Sequence, residues 1–303
     1  MDMDIQTVGI LSPGDMGHAI GTVLKQAGLR VISCLQDRST RTRELARKAG
    51  IVDVETDEAL VREADIVLSV LVPAQAVATA GRIAKAVRAT GSRPLFADCN
   101  AISPRTMQAI NQLVTDAEAD IVDIGIIGGP PRSKDAGTRL YASGPRAAEV
   151  AALNNYGLNI RVLGDQIGQA SGLKMCYASL TKGLTALATE ALTAGQALGI
   201  GEALTSELQQ SQATLLSMIE RQISGMPPKA YRWVGEMEEI AQTFGDLGLP
   251  PQMLQGAANV YHLVEQTELG SEIPEQRRLG TTRDEVTTIL NTSLGHLKGD
   301  GKK

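Results

Sequence analysis

The stretch from Thr7 to Gly17, TVGILSPGDMG, constrains this chain more than any other. Thr7 to Leu11 is a short apolar run of strand length. Ser12 to Gly17 is rich in turn residues, and Ala19, Ile20, Val23 and Leu24 then recur at helical spacing until Gly28 stops them. The alternation continues. Leu29 to Leu35 reads as a strand, and Arg41 to Ala49 as a helix ended by Gly50. Asp65 to Val72, DIVLSVLV, is unbroken and apolar, as a strand covered on both faces must be. Pro94 to Ala97, Asp120 to Ile126, Leu140 to Ser143 and Ile160 to Leu163 complete the set. Strand–helix alternation with short turns predicts a parallel sheet with helices on both faces, and right-handed crossovers put every strand's carboxyl end on one edge. Ligands bind along that edge.

From about Ile167 no strand is readable. Ala170 to Leu198 carries charge only at Lys174, Lys182 and Glu190, and predicts a buried central helix. Further helices are expected over Glu202 to Gln222, Tyr231 to Phe244, Pro251 to Thr267 and Arg283 to Asn291. The fold class is therefore α/β, an N-terminal Rossmann doubly wound parallel sheet followed by an all-α C-terminal domain. The expected division is 1–164 for dinucleotide binding and 165–303 for the helical domain. A length of 303 residues suits two domains.

Composition narrows the chemistry. A net charge of −5 and an aromatic content of 3% argue against a nucleic-acid partner, which needs a basic footprint and stacking platforms. Cys34, Cys99 and Cys176 form no CxxC pair, and His18, His262 and His296 have no metal-ligand spacing, so no metal site is expected. The start, MDMDIQTVGI, lacks a basic n-region, and no apolar run is long enough to span a bilayer. The expectation is a soluble cytoplasmic protein with a small-molecule substrate and no membrane partner.

The first turn matches GxGxxG with its glycine positions on Ser12, Gly14 and Gly17. Gly14 admits a pyrophosphate to the backbone, and Gly17 permits close helix–strand packing. The helix N-terminus offers free N–H groups and a positive dipole end. The predicted phosphate cradle is Ser12, Pro13, Gly14, Asp15, Met16 and Gly17. After the second strand, Asp37 suits a ribose 2′-hydroxyl and hence NAD. Arg38, Ser39 and Arg41 suit a 2′-phosphate, which makes NADP the preferred expectation.

Four motifs, in order, resemble the β-hydroxyacid dehydrogenase superfamily: 3-hydroxyisobutyrate, tartronate semialdehyde and 6-phosphogluconate dehydrogenases, with imine reductases as cousins. They are VGILSPGDMG at Val8 to Gly17, VLVP at Val70 to Pro73, ADCNAISP at Ala97 to Pro104 with DIGIIGG at Asp123 to Gly129, and GDQIGQASGLK at Gly164 to Lys174. The resemblance covers about residues 5 to 270 and is closest to a branch whose second half is a 6-phosphogluconate-dehydrogenase-like helical domain. Departures stand at Ser12 for glycine, Asn100 and Ala101 for a Ser-Thr pair, Ile127 for a substrate-binding serine, and Ala178 for an asparagine. The family's late Lys-Asp is Gly235-Glu236 here, with Arg232 and Trp233 one turn earlier. The resemblance implies that Val72, Pro73 and Asn100 flank the nicotinamide end of the cofactor. It also implies that Lys174 falls on the catalytic lysine and that the protein is a homodimer joined through its helical domain.

The residues themselves favour that lysine. Hydride transfer to or from a carbonyl carbon needs an acid/base within reach of the oxygen. No histidine is well placed, whereas Lys174 stands in a helix almost free of charge. Gly128, Gly129, Tyr177, Lys182 and Trp233 complete the expected substrate site, with Lys182 as a second cation for an acidic substrate. The expected activity is NAD(P)-dependent oxidation or reduction of a hydroxy acid or a related alcohol or ketone. Two alternatives accompany it: an imine reductase, which Tyr177 would suit, and a non-catalytic NADP-binding sensor, which the missing family groups would suit.

Overall fold

The structure is a computed structural model that describes residues 4–131 and 137–299, with side chains through 294. The alternation is realised as β1 (Thr7–Leu11), α1 (Asp15–Gln26), β2 (Arg30–Ser33), α2 (Thr40–Lys48), β3 (Val52–Asp53), α3 (Asp57–Glu63) and β4 (Ile66–Ser69). There follow α4 (Pro73–Thr90), β5 (Leu95–Asp98), α5 (Pro104–Thr115), β6 (Ile121–Ile127), β7 (Arg139–Ser143), α6 (Ala147–Val150) and β8 (Ile160–Gly164). Among the described residues these strands form one sheet in the order β3-β2-β1-β4-β5-β6-β7-β8.

Successive strand residues point to opposite faces, and each face has its own core. Val8, Ile10, Val31, Ile66, Leu68, Leu95, Val122 and Ile124 pack on the side of α1. Leu11, Ile32, Val67, Phe96 and Ile121 pack with Ile83, Val87, Met107 and Ile110 of α4 and α5. Pro73 is the first residue of α4, a position that needs no N–H, and α4 buries small residues such as Ala76, Ala80 and Ala84. Thr56 and Ser103 cap α3 and α5 by accepting from Ala59 N and Thr106 N, each at 3.1 Å.

The sheet corrects one expectation. β3 to β6 are parallel, but β7 runs antiparallel to β6, and β8 pairs parallel with β7. The carboxyl ends of β7 and β8 therefore lie away from the edge where β1, β4, β5 and β6 end. A parallel return needs a crossover of a dozen or more residues, usually a helix. The link from Ile127 to Arg139 is shorter than that, so the next strand comes back antiparallel.

The chain divides into two compact units, Met1–Met175 and Cys176–Lys303. The division falls inside α7 (Gln169–Ala197) rather than at Gly164, because the first turn of α7 is hydrogen-bonded to β6 and β7. The second unit holds the rest of α7 with α8 (Gly201–Ser211), α9 (Ala213–Gly225), α10 (Ala230–Asp246), α11 (Gln252–Glu265) and α12 (Arg283–Gly299). The single helix expected over Glu202 to Gln222 is broken at Gln212, whose φ of −141° and ψ of 39° are not helical. The break separates two demands: α9 buries Leu216, Ile219 and Ile223, while α8 buries no residue.

α7 is not buried all round, as its composition had suggested. Its inward face carries Ala186, Thr185, Thr189 and Thr193, and those threonine hydroxyls donate back to carbonyls four residues earlier at 2.8 Å. Leu180 and Leu187 lie outward, 74% and 60% exposed. In the same unit Tyr261 is fully buried; its ring meets Trp233 edge-on at 5.1 Å, and its hydroxyl donates to the Lys182 carbonyl at 2.6 Å. Tyr261→Phe deletes that donor without opening a cavity, so the helical unit should lose about 1 kcal/mol, measured by urea unfolding.

Candidate functional site

Gly14 is the N-cap residue of α1, and no side chain caps the helix there. A Cβ at Gly14 would meet nothing within 4 Å, so the backbone is open to an approaching group. A Cβ at Gly17 would stand 2.9 Å from the Ser12 carbonyl oxygen and 3.3 Å from Ile10 Cγ2. Helix and strand can come this close only with glycine at that position. Ser12 itself has φ 61°, the left-handed conformation that glycine usually supplies in this turn. The loop thus keeps its shape despite the serine. Uncapped amides, an open Gly14 and a positive helix end make a cradle that suits a pyrophosphate.

Around the expected ribose reader the partners are specific. The Arg41 guanidinium pairs with the Asp15 carboxylate in the first turn of α1. Ser39 caps α2, its Oγ accepting from Thr42 N at 3.2 Å. Arg38 is half-buried; burial, and then the positive charge of Arg82, pull its guanidinium pKa down. Arg82 escaped sequence reasoning because α4 carries little amphipathic contrast. It grips Asp57 with Nε at 2.9 Å and Nη2 at 3.3 Å.

At the ends of β4 and β5, Asn100 is buried and acts as a brace. Its Oδ1 accepts from Leu71 N at 2.5 Å, and its Nδ2 donates to Ser69 Oγ at 3.0 Å and to Asp98 Oδ2 at 2.8 Å. Asn100 therefore sets the turn that carries Val72 and Pro73. Asp98 is wholly buried, and that burial pushes its carboxyl up to about 7. The Asp123 carboxylate beside it adds to the rise, while hydrogen bonds from Asn100 oppose it.

Asp123, opposite Asp98 across β5 and β6, is buried too, and burial raises its carboxyl. Three residues on, the Ile126 carbonyl accepts from Lys174 Nζ at 2.6 Å. Lys174 is half-buried, at the carboxyl end of β6, just before Gly128 and Gly129. Gly128 has φ 114°, and a Cβ there would press on Gly137 and Thr138 at 3.0 Å. The Gly129 carbonyl accepts from Thr138 Oγ1 at 2.6 Å. The first unit thus gathers the glycine loop, the Val72 turn, Gly128, Gly129 and Lys174 on the edge where β1, β4 and β6 end.

In the second unit, Lys182 and Glu236 form a buried ion pair, with Lys182 Nζ 5.2 Å and Lys229 Nζ 5.9 Å from the Trp233 ring centroid. Glu236, which stands where the family has an aspartate, was not read from the sequence as a partner of Lys182, 54 residues away. Tyr177 is exposed. His18 Nδ1 bonds the Gly14 carbonyl oxygen at 2.7 Å, His262 contacts Glu265, and the His296 side chain lies outside the described residues. Among the described residues no group of three acidic, histidine or cysteine side chains is placed to hold a metal ion, and no helix is long and apolar enough to cross a membrane.

Residues 7–158 match the family of the NAD binding domain of 6-phosphogluconate dehydrogenase, and residues 196–264 match a domain of unknown function (DUF1932). An uncharacterized 28.5 kDa protein from Methanothermus fervidus is 26% identical over 86% of this chain and 99% of its own length. A conserved protein of unknown function, described as structurally similar to 3-hydroxyacid dehydrogenases, is 30% identical, with a TM-score of 0.65 over 86% of this chain and 96% of its own. The 3-hydroxyisobutyrate dehydrogenase of Mycobacterium tuberculosis is 17% identical, with a TM-score of 0.69 over 95% of this chain and 99% of its own.

The Asp98 carboxyl yields a test of this geometry. Its folded-state pKa of about 7 lies above the ordinary 3.8, so the folded chain keeps a proton that the unfolded chain releases. Asp98 therefore costs stability progressively as pH rises through that interval, and the cost is constant above it. Asp98→Asn does not titrate. Its urea midpoint relative to wild type should move in the variant's favour from about pH 4 to about 7 and then stay level. A difference that is flat with pH would show that Asp98 titrates as an exposed aspartate does.

Proposed function

The chain belongs to the β-hydroxyacid dehydrogenase superfamily, and on that premise we propose that it is an NADP-preferring oxidoreductase acting on a hydroxy acid or a related alcohol or ketone. The observation that carries the proposal is Lys174: a half-buried ammonium held 2.6 Å from the Ile126 carbonyl, on the sheet edge that also presents the glycine loop.

The cofactor would lie with its pyrophosphate on the amides of Gly14 to Gly17. Its adenosine 2′-phosphate would sit near Arg38 and Ser39, where the Arg38 guanidinium stands close to Arg82, itself paired with Asp57. Its nicotinamide end would lie along Val72 and Pro73, the turn that Asn100 braces. When bound, the nicotinamide supplies or accepts the hydride. Lys174 moves the proton: as ammonium it protonates the substrate oxygen during reduction, and as amine it takes the hydroxyl proton during oxidation. The Ile126 carbonyl fixes where that group stands. Gly128 and Gly129 leave the floor beside it free of side chains.

Imine reduction is the second reading, favoured by the exposed Tyr177 phenol on the same helix as Lys174. A non-catalytic NADP sensor is the reading that a turnover assay would isolate. Thermal shift with NADPH and NADH, followed by NADPH consumption with keto acids, ketones and a cyclic imine, separates the three. NADPH should stabilise the chain more than NADH does. Lys174→Met should keep that stabilisation while turnover of the oxygen substrate falls by about two orders of magnitude or more. Full turnover in Lys174→Met would remove Lys174 from the reaction.

The protein also works as a homodimer joined through the helical unit. The outward Leu180 and Leu187 of α7, the exposed Leu198 and Ile200, and an α8 that buries nothing support this reading. Light scattering at micromolar concentration should give twice the mass of one chain. Leu180→Glu with Leu187→Glu should shift it to a monomer, and a monomeric wild type would contradict the assembly.

A further inference from the structure

β6 contacts the start of α7 at three points, and together they do more than cap a helix. At the first, the Asp123 carboxylate accepts from Gly168 N at 2.9 Å, Ser171 N at 3.0 Å and Ser171 Oγ at 2.6 Å. Ser143 Oγ of β7 donates to the same carboxylate at 3.1 Å and itself accepts from Ala170 N at 2.9 Å. The amides that open α7 are thereby satisfied by one carboxylate and one hydroxyl. At the second point, a Cβ on Gly125 would lie 2.5 Å from the Ala170 carbonyl oxygen and 3.2 Å from Lys174 Cβ. The helix backbone lies directly on the strand, with no side chain between them. At the third, the Ile126 carbonyl receives the Lys174 ammonium.

A serine or threonine N-cap would satisfy helix amides without burying a charge. A buried carboxylate is costly unless several donors converge on it, and here four do. What the carboxylate adds is directional grip: two oxygens hold two amides and a hydroxyl of one helical turn, the turn immediately before Lys174. A strand that fixes the helix start, the distance to the helix backbone and the ammonium itself leaves the Lys174 side chain little freedom to wander.

We propose that Asp123 is a positioning residue for Lys174, acting through Gly168 and Ser171 at the start of α7. The proposal rests on the reading of Lys174 as the proton-transfer group. The test is kept independent of that reading by following the lysine itself. The full-length chain is treated with limiting formaldehyde and a borohydride reductant, and methylation is followed lysine by lysine by mass spectrometry across a range of pH.

In Asp123→Asn, where an amide NH2 replaces one acceptor oxygen, Lys174 methylation should change by about tenfold, the scale of one lost charge-assisted hydrogen bond. Methylation of the exposed Lys85 should not change. Ser171→Ala, which removes a single donor, should move Lys174 in the same direction by less, and Ser171→Thr should restore it. Lys174 and Lys85 rates that both match wild type in a folded Asp123→Asn, with only the melting temperature lowered, would overturn the proposal and leave Asp123 a structural cap. If Asp123→Asn does not fold, the Ser171 pair decides on the same terms. Full turnover in Lys174→Met would remove the acid/base reading, while the methylation result would still say whether Asp123 places the lysine.

Discussion

A carboxylate taken out of water costs several kcal/mol unless donors surround it, and the centre of this sheet holds two. Asp98 and Asp123 stand opposite each other on β5 and β6, both buried. On one side Asn100 binds Asp98, Ser69 and the Leu71 amide. On the other, Ser143, Gly168 and Ser171 bind Asp123. A polar layer thus runs between the two apolar cores at the strand ends. One flank of it fixes the turn of Val72 and Pro73, and the other fixes the helix of Lys174. A buried network of this kind is stable only when every member is satisfied, and that requirement makes the local geometry stiff.

Close backbone approach is the second constraint. Gly17 lets α1 descend on β1, and Gly125 lets α7 descend on β6. The two glycines play similar parts: Gly17 admits the start of α1 to the Ser12 carbonyl just after β1 and to the Ile10 side chain, and Gly125 admits the backbone of α7 to β6. Ser12 shows that the glycine loop tolerates change elsewhere. It adopts φ 61° although it carries a Cβ, at a cost of order 1 kcal/mol, and the loop still leaves Gly14 open.

The strands were legible because runs such as Ile66 to Ser69 are continuously apolar, a pattern that only a doubly covered strand needs. α4 was not, since its buried face is mostly alanine and Pro73 reads as a stop as readily as a first helical residue. The reversal at β7 depends on the length of the link from Ile127 to Arg139, which no single residue announces. At the site, the glycine loop could be picked out because its neighbours in sequence are also its neighbours in space, and Lys174 because it stands in a charge-poor helix at the end of a family-like motif. The partners of Asp123, Asn100 and Lys182 could not. Asp123 meets Ser171 48 residues on, Asn100 meets Leu71 29 residues back, and Lys182 meets Glu236 54 residues on.

The two lysines of α7 show what composition leaves undecided. Both stand in a helix with few charges, and from sequence alone either would serve an acidic substrate. Their surroundings differ in kind. Lys182 is buried against Glu236, beneath the Trp233 ring, so its charge is balanced within the helical unit and the pair acts as an internal fastening. Removing Glu236 would leave a buried cation without its partner, and for that reason the pair resists replacement at one end only. Lys174 is half-buried and reaches the Ile126 carbonyl, a contact that sets where its ammonium stands at the end of β6.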